Sequence, residues 1–234
     1  MYGLHPVREY LRAVPGAIRH IFLLPNLRQS PVAILARQHA IPLSYEPPSF
    51  FHALAPGGGH QGAAAHLQPF PYTPLSDILD IHANLLLILD GILDPRNLGA
   101  LLRTAEGAGV GGVVLPHRRA AGLSAAVEKT AAGATAYLPI CRVGNLARSL
   151  DRIRAAGYWL VGLAPDAPQT LYELGPQRDI ALLLGNEEKG LRPVVRDRCD
   201  CLVALPMQGE IGSLNVSVAG AVALYEIMRR NMRQ

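Results

Sequence analysis

From residue 85 onward, short and continuously apolar runs alternate with longer stretches whose apolar residues recur at spacings of three and four. The runs are Leu85–Leu89, Gly112–Leu115, Ala136–Ile140, Tyr158–Leu163, Ile180–Leu184 and Cys201–Leu205. Unbroken apolarity over so few residues is what a strand needs when both faces of its sheet are covered. In the stretch Asn97–Ala105, residues Leu98, Leu101, Leu102 and Ala105 form one buried helical stripe, with Asn97 as its cap. A second helix is predicted from a cap at Asn145 to Gly157, with Leu146, Leu150 and Ile153 inward. The last helix is predicted from a cap at Ser213 to about Arg230. The alternation predicts an α/β domain with a parallel sheet and helices on both sides.

The first 67 residues read differently. Shorter elements are expected there: a helix Pro6–Val14, a strand Arg19–Leu24, a helix Pro31–His39, a strand Ile41–Tyr45 and a strand Gln61–Leu67. Ala55-Pro56-Gly57-Gly58-Gly59-His60 must be a loop. Three prolines within Gln68–Pro74 mark a semi-rigid linker. The chain thus divides into a small domain 1–67, a linker 68–78 and a larger domain 79–234.

Composition narrows the class. Half of the 234 residues are apolar, enough for a packed core and against global disorder. No apolar run approaches the ~20 residues of a membrane span, and Met1–Pro6 lacks the layout of a signal peptide. The expectation is a cytoplasmic protein. Cys141, Cys199 and Cys201 lack metal-ligand spacing and read as idle thiols. His52, His60 and His66 read as loop or strand residues, so no metal is expected. A net charge of +4 permits nucleic-acid binding without requiring it. The clusters His117-Arg118-Arg119, Arg148/Arg152/Arg154 and Arg229/Arg230/Arg233 suit RNA contact and solvated surfaces about equally.

Candidate chemistry gathers in three loops that follow strands. Gly107–Gly112 matches the spacing G-x-G-x-x-G but follows a helix and precedes a strand, the reverse of what a dinucleotide site needs. Those glycines are read as a tight turn. In the helix before them, Arg103 falls roughly 140° from Leu98, off the buried stripe. The loop after Leu184 is Gly185-Asn186-Glu187-Glu188-Lys189-Gly190. The loop after Cys201–Leu205 carries Pro206 and Met207, then Ser213, Leu214, Asn215 and Ser217. Small, polar loops at strand ends are where open α/β sheets place ligands.

Asn97-Leu98-Gly99-Ala100 with Arg103-Thr104-Ala105, Gly185-x-Glu187-x-x-Gly190, and Leu205-Pro206-Met207 with Ser213–Ser217 resemble the three motifs of the SpoU/TrmH RNA 2′-O-ribose methyltransferases. Tyr2–Val7, His60-Gln61-Gly62 and the segment from Leu123 to Arg148 resemble a branch that methylates a guanosine of 23S ribosomal RNA. The resemblance spans the chain. It implies a deep C-terminal trefoil knot of the SPOUT type, a homodimer, and a small domain related to ribosomal protein L30e that binds RNA. It implies S-adenosylmethionine as methyl donor, with Gly185, Leu205 and Leu214 as backbone contacts and Glu187, Met207 and Ser213 beside them. Arg103 would activate the ribose hydroxyl, Asn97 and Asn215 would orient it, and Glu187 would anchor the knot loop or a neighbouring arginine. Ser213 and Ser217 would hold the substrate, with Arg118 and Arg119 also on the RNA. The partner would be 23S RNA or an assembling large ribosomal subunit. Transfer RNA is the alternative substrate, and a non-enzymatic RNA-binding factor is the alternative class.

The chemistry constrains these roles. A ribose hydroxyl must lose its proton as it attacks, and the donor already carries an activated methyl group, so no metal or cysteine is required. A free guanidinium is too basic to take that proton at neutral pH. Arg103 is therefore expected either to bind a neighbouring phosphate and help pass the proton to it, or to be strongly perturbed in the complex.

Overall fold

The computed structural model describes residues 1–175, 179–210 and 212–232. Along the chain come helix α1 (Leu4–Ala13), strand β1 (Ile18–Leu23), α2 (Pro31–Gln38), β2 (Leu43–Tyr45), α3 (Pro48–Leu54) and β3 (Ala63–Leu67). There follow α4 (Leu75–Asp80), β4 (Leu85–Asp90), α5 (Pro95–Gly107), β5 (Gly112–Pro116), α6 (Ala125–Ala131), β6 (Ile140–Val143) and α7 (Leu146–Ala155). The last elements are β7 (Trp159–Leu163), β8 (Gln169–Thr170), β9 (Ile180–Gly185), α8 (Pro193–Arg196), β10 (Cys201–Ala204) and α9 (Val216–Asn231).

Two compact units result: Met1–Pro71 with Leu123–Tyr137, and Tyr72–Gly122 with Leu138–Gln234. The first is built on a mixed sheet in the order β2-β1-β3, with β1 parallel to β2 and antiparallel to β3. Its core is Val7, Tyr10, Leu11, Ile21, Leu23, Val32, Ala33 and Ala36.

Residues 123–137 join this unit, although the sequence pattern assigns them to the stretch 79–234. The reason is a buried polar cluster. Tyr10 Oη donates to Glu128 Oε1 at 3.1 Å and lies 3.0 Å from Thr135 Oγ1, which donates to Glu128 Oε2. Val127 and Ala131 of α6 are fully buried beside it.

The larger unit is a seven-stranded, wholly parallel sheet in the order β6-β5-β4-β9-β7-β10-β8. Successive strands β4, β5 and β6 step one way, and β7 lies on the opposite side of β4. The C-terminal ends of β4 and β9 therefore lie at a topological switch point, where such sheets open a crevice. In register, Asp90 ends β4 beside Gly185 at the end of β9. Both strands are buried along their whole length. The helix α9 packs closely: a Cβ on Gly220 would stand 2.5 Å from Leu101 Cδ2 and 2.7 Å from Leu184 Cδ1.

Several local expectations change. The apolar run Ala136–Ile140 is not a strand. Gly133 turns the chain at φ 94°, Ala134–Ala136 forms a 3-10 turn within the first unit, and β6 starts only at Ile140, after Pro139. The stretch 68–78 ends in helix α4, which buries Leu75 and Ile78. Helix α3 was not expected; Pro48 stands in its first turn, a position that suits proline. The caps shift for a similar reason. Pro95 lets α5 start earlier, with Asp94 capping the Arg96 N–H at 2.7 Å, so Asn97 is not the cap. Asn215, not Ser213, caps α9 by accepting from the Ser217 N–H.

Burial pushes the Glu128 carboxyl above its ordinary value of 4.5, against the hydrogen bonds from Thr135 and Tyr10. An acid whose pKa is raised by folding contributes stability that is full below the unfolded value and fades as pH rises through the folded one. Glu128→Gln should therefore gain stability relative to the unaltered protein as pH rises from about 4.5 toward neutrality. Urea unfolding of the full chain across that range checks this, and parallel pH profiles would refute it.

Candidate active site at the C-terminal edge of the sheet

A cleft of about 440 Å³ opens at the ends of β7, β9 and β10, within the size range of small-molecule sites. Its walls combine aliphatic side chains, including Leu163, Leu184 and Leu191, with backbone of the loops after these strands. Gly185, Glu187, Leu205, Met207, Ser213 and Leu214, the six residues expected at the donor, all line it. Asp166 and Arg196 also line it and form a two-pronged pair at 3.0 and 2.9 Å. The Arg196 hydrogen bonds hold the Asp166 carboxyl below the usual carboxylate range.

Position 185 must be glycine. A Cβ there would stand 2.1 Å from the Gly190 carbonyl carbon and 2.2 Å from the Leu191 nitrogen. Behind it the loop closes on itself: Asn186 and Gly190 exchange both backbone hydrogen bonds, at 3.0 and 2.9 Å. Asn186 Oδ1 accepts from the N–H groups of Glu188 and Lys189. The loop is also tied from outside. The Asp90 carboxylate is fully buried and accepts the Arg192 backbone N–H at 3.0 Å and its Nε at 2.7 Å.

A chain of side-chain hydrogen bonds then joins three loops. Asn186 Nδ2 donates to the Gly91 carbonyl at 3.0 Å and to Glu187 Oε2 at 3.1 Å. Asn97 Nδ2 donates to Glu187 Oε1 at 2.9 Å, and Asn215 Nδ2 donates to Asn97 Oδ1 at 3.1 Å. Asn215 Oδ1 in turn accepts from Ser217 Oγ at 2.6 Å. The sequence separations of 90 and 118 residues are thus closed by two amides and one carboxylate.

Asn97, Glu187, Asn215 and Ser217 are brought together. Arg103 is exposed on α5 and its side chain makes no hydrogen bond or ion pair among the described residues, so none of these groups orients it here. Arg118 and Arg119 are exposed in the loop after β5. That loop is fixed beside the one after β4 by the Ala121 N–H bond to the Ile92 carbonyl, at 2.8 Å.

Sequence reasoning missed Asn186, Asp90 and Arg192. The signal for Asp90 was present as a single charge ending an apolar strand run. Nothing local marked Arg192, whose partner lies 102 residues away. Burial pushes the Cys199 thiol up to about 12 and raises those of Cys141 and Cys201, which disfavours the nucleophilic thiolate. No group of three or more metal-ligating side chains occurs among the described residues.

A family model described as the SpoU rRNA methylase family matches residues 84–225. The chain belongs to this family. A second model, described as the RNA 2′-O ribose methyltransferase substrate-binding domain, matches residues 1–73. The chain is 40% identical over 240 residues to a Nitrosomonas europaea protein named 23S rRNA (guanosine-2′-O-)-methyltransferase RlmB, covering 100% of this chain and 92% of the relative. An Escherichia coli K12 protein of the same name is 36% identical over 237 residues, covering 98% of each. Among solved structures, the SpoU methyltransferase AviRb of Streptomyces viridochromogenes, in complex with AdoMet, superposes with a TM-score of 0.84 at 25% identity. That match covers 97% of this chain and 89% of that one. The cleft and its hydrogen-bonded rim lie within the residues that the family model matches.

Two substitutions separate the supports of this family site. Gly185→Ala should abolish donor binding in calorimetry, because the Cβ meets backbone that cannot move aside without opening the loop. Arg192→Ala leaves the buried Asp90 carboxylate without its cation and should cost about 2 kcal/mol in urea unfolding, less than a fully buried pair because Arg192 is 38% exposed. Unchanged unfolding would remove Asp90 as the anchor.

Proposed function

We propose that this protein transfers the methyl group of S-adenosylmethionine to the 2′-hydroxyl of a guanosine in 23S ribosomal RNA. The observation that carries the reading is the rim of the cleft, where Asn97, Glu187 and Asn215 from three separate family motifs are hydrogen-bonded into one unit. The cleft fits the donor chemically: a glycine cradle, aliphatic walls for a purine, and backbone groups along the loops. When bound, the donor supplies an electrophilic methyl group. The chain's own residues then align the ribose, and in-line alignment accounts for much of the rate.

In this reading Arg103 binds the phosphate next to the reacting ribose and neutralises the charge that develops as the hydroxyl loses its proton. Its freedom from internal ion pairs favours that role. Asn97 and Asn215 hold the rim, Ser213 and Ser217 face the substrate, and Arg118 and Arg119 contact flanking RNA. On the first unit, His20, Phe22, Phe50, Phe51, His60 and His52 form a run of ring contacts at 4.6–5.4 Å. His52, its exposed member, suits stacking against an unpaired base.

The trefoil knot and the homodimer belong to the same reading. Strand β10 lies beyond β7, yet α9 packs on α5 and β9, so the chain after β10 recrosses the edge of the sheet near the loop 186–190. A threaded path accounts for that route. Val218, Val222 and Tyr225 are 49%, 37% and 48% exposed on one face of α9 and are assigned to a second copy of the chain. Among the described residues no helix is long and apolar enough to cross a membrane, and we place the enzyme in the cytoplasm.

Transfer of tritiated methyl groups to undermethylated 23S RNA and to transfer RNA tests the substrate. Label in 23S RNA is expected; label only in transfer RNA would overturn the ribosomal assignment, and none in either would overturn the enzymatic one. Arg103→Lys should slow single-turnover transfer by roughly 100-fold or more, as expected when a geometry-specific charge contact is lost, while donor affinity stays unchanged. A wild-type rate would remove Arg103 from the chemistry. For the dimer, Val222→Asp should halve the mass seen by light scattering. A monomeric unaltered protein would refute the interface.

A further inference from the structure

A second cavity, about 420 Å³, opens at β6, the outermost strand of the large sheet. It gathers Arg142, Arg148 and Arg152 with Tyr72, Asn145 and Ser149, and its lining contains no carboxylate. Arg142 holds its guanidinium 5.3 Å from the centre of the Tyr72 ring and donates one Nη2 bond, at 2.8 Å, to the His117 carbonyl. Its Nε is buried and lacks a hydrogen-bond partner among the described residues. Arg148 and Arg152 stand one turn apart on α7, exposed, with no side-chain hydrogen bond or ion pair among the described residues.

Neighbouring arginines behave differently. Arg154 is paired with Asp200 at 3.0 Å, and Arg198 takes Asp151, the one acid of α7, at 3.1 Å. Asp151 and Asp200 are therefore committed to partners outside the cavity lining. Like charges four residues apart weaken a helix, and a buried donor without an acceptor is costly. The positive end of α7, capped by Asn145, adds to the same field. A group with several anionic oxygens in tetrahedral array would satisfy both free guanidinium forks together, with the charge of Arg142 beside them.

We propose that this cavity is a phosphate subsite that holds one backbone phosphodiester of the RNA substrate. The proposal rests on the reading of the protein as an RNA methyltransferase and adds a contact away from the reacting ribose. Position supports it. β6 lies two strands from β4, roughly 10 Å at the usual strand spacing. The loop that carries Arg118 and Arg119 is tied to β6 by the His117 N–H bond to the Val143 carbonyl, 2.8 Å, and by the Arg142 bond to His117. Basic groups thus continue from the end of β4 to the outer strand.

The test compares the unaltered full chain with the double variant Arg148→Ala/Arg152→Ala, both exposed positions. Affinity for a 23S-derived RNA is measured by fluorescence anisotropy over a series of KCl concentrations, with donor affinity by calorimetry as the control. The expected result is weaker RNA binding and a log K against log [KCl] slope shallower by about 0.7, the release of one phosphate's counterions from a single strand, at unchanged donor affinity. The charge-matched variant Arg154→Ala/Arg198→Ala should keep the original slope. An unchanged slope in the first variant, or an equal loss in both, overturns the subsite while methyl transfer by the unaltered protein leaves the function standing. Inorganic phosphate is titrated in parallel at constant ionic strength, with thermal unfolding as the readout. If only its stabilising effect disappears in the first variant, the cavity holds a free anion and the RNA proposal falls. Unaltered protein that neither binds RNA nor transfers methyl overturns both readings.

Discussion

The ends of β4 and β9 meet with no room for a side chain at position 185, and this crowding shapes everything around the cleft. Because Gly185 carries no Cβ, the backbone of Gly190 and Leu191 can lie against the strand end, so the loop 186–190 folds back instead of running outward. That return brings Arg192 over the buried Asp90 and turns Asn186 and Glu187 toward the loop after β4. A larger residue at 185 would displace the loop, and with it the carboxylate on which Asn97 is anchored. The close approach is thus a backbone constraint whose consequences are electrostatic.

Much of this was legible in the chain, and the parts that were not share a cause. Strands Leu85–Asp90 and Ile180–Gly185 are buried on both faces, so their apolar runs announced them. The loops that carry Glu187 and Ser213 follow strands β9 and β10, at the ends that a parallel sheet exposes, whereas Asn97 and Arg103 lie on α5. The run Ala136–Ile140 misled because its apolar residues serve two different units, and the split between them at Gly133–Pro139 leaves no mark on hydrophobicity. Caps failed where a proline or a second polar residue competed: Asp94 and Asn215 took the N–H groups that Asn97 and Ser213 seemed placed to take. That exchange matters, because an Asn97 spent on its own helix could not reach Glu187. Pairs such as Asp90–Arg192 stayed hidden, since nothing in a single sequence links residues 102 apart.

The basic residues sort by what the fold does with them. Arg229 and Arg230 both bind Glu226, whose carboxyl is drawn down to about 2 by the hydrogen bond from Arg229 and then by Arg230. Arg230 also donates to the carbonyls of Leu171 and Tyr172. These helix-end arginines are structural, and Arg233 of the same cluster lies outside the described residues. Arg103, Arg118, Arg119, Arg148 and Arg152 have no such partners among the described residues. All follow β4, β5 or β6, one half of the strand order, with α5 and α7 on opposite faces of the sheet. A modest net charge is consequently concentrated where it can act on a polyanion.

The same sorting constrains the proton's route. Glu187 accepts from Asn97 with one oxygen and from Asn186 with the other, and Asp90 is consumed by Arg192. Taking up a proton would require either carboxylate to break bonds that hold the cleft's rim together. They are better matched to geometry than to base catalysis, because their oxygens are already taken by the donors that hold the loops in place. In the proposed reaction, an arginine left without an internal partner is free to stabilise negative charge on the substrate. On that proposal the proton goes to an oxygen that the substrate itself brings beside Arg103, and the protein's task is to fix the sugar, the phosphate and the cleft in one line.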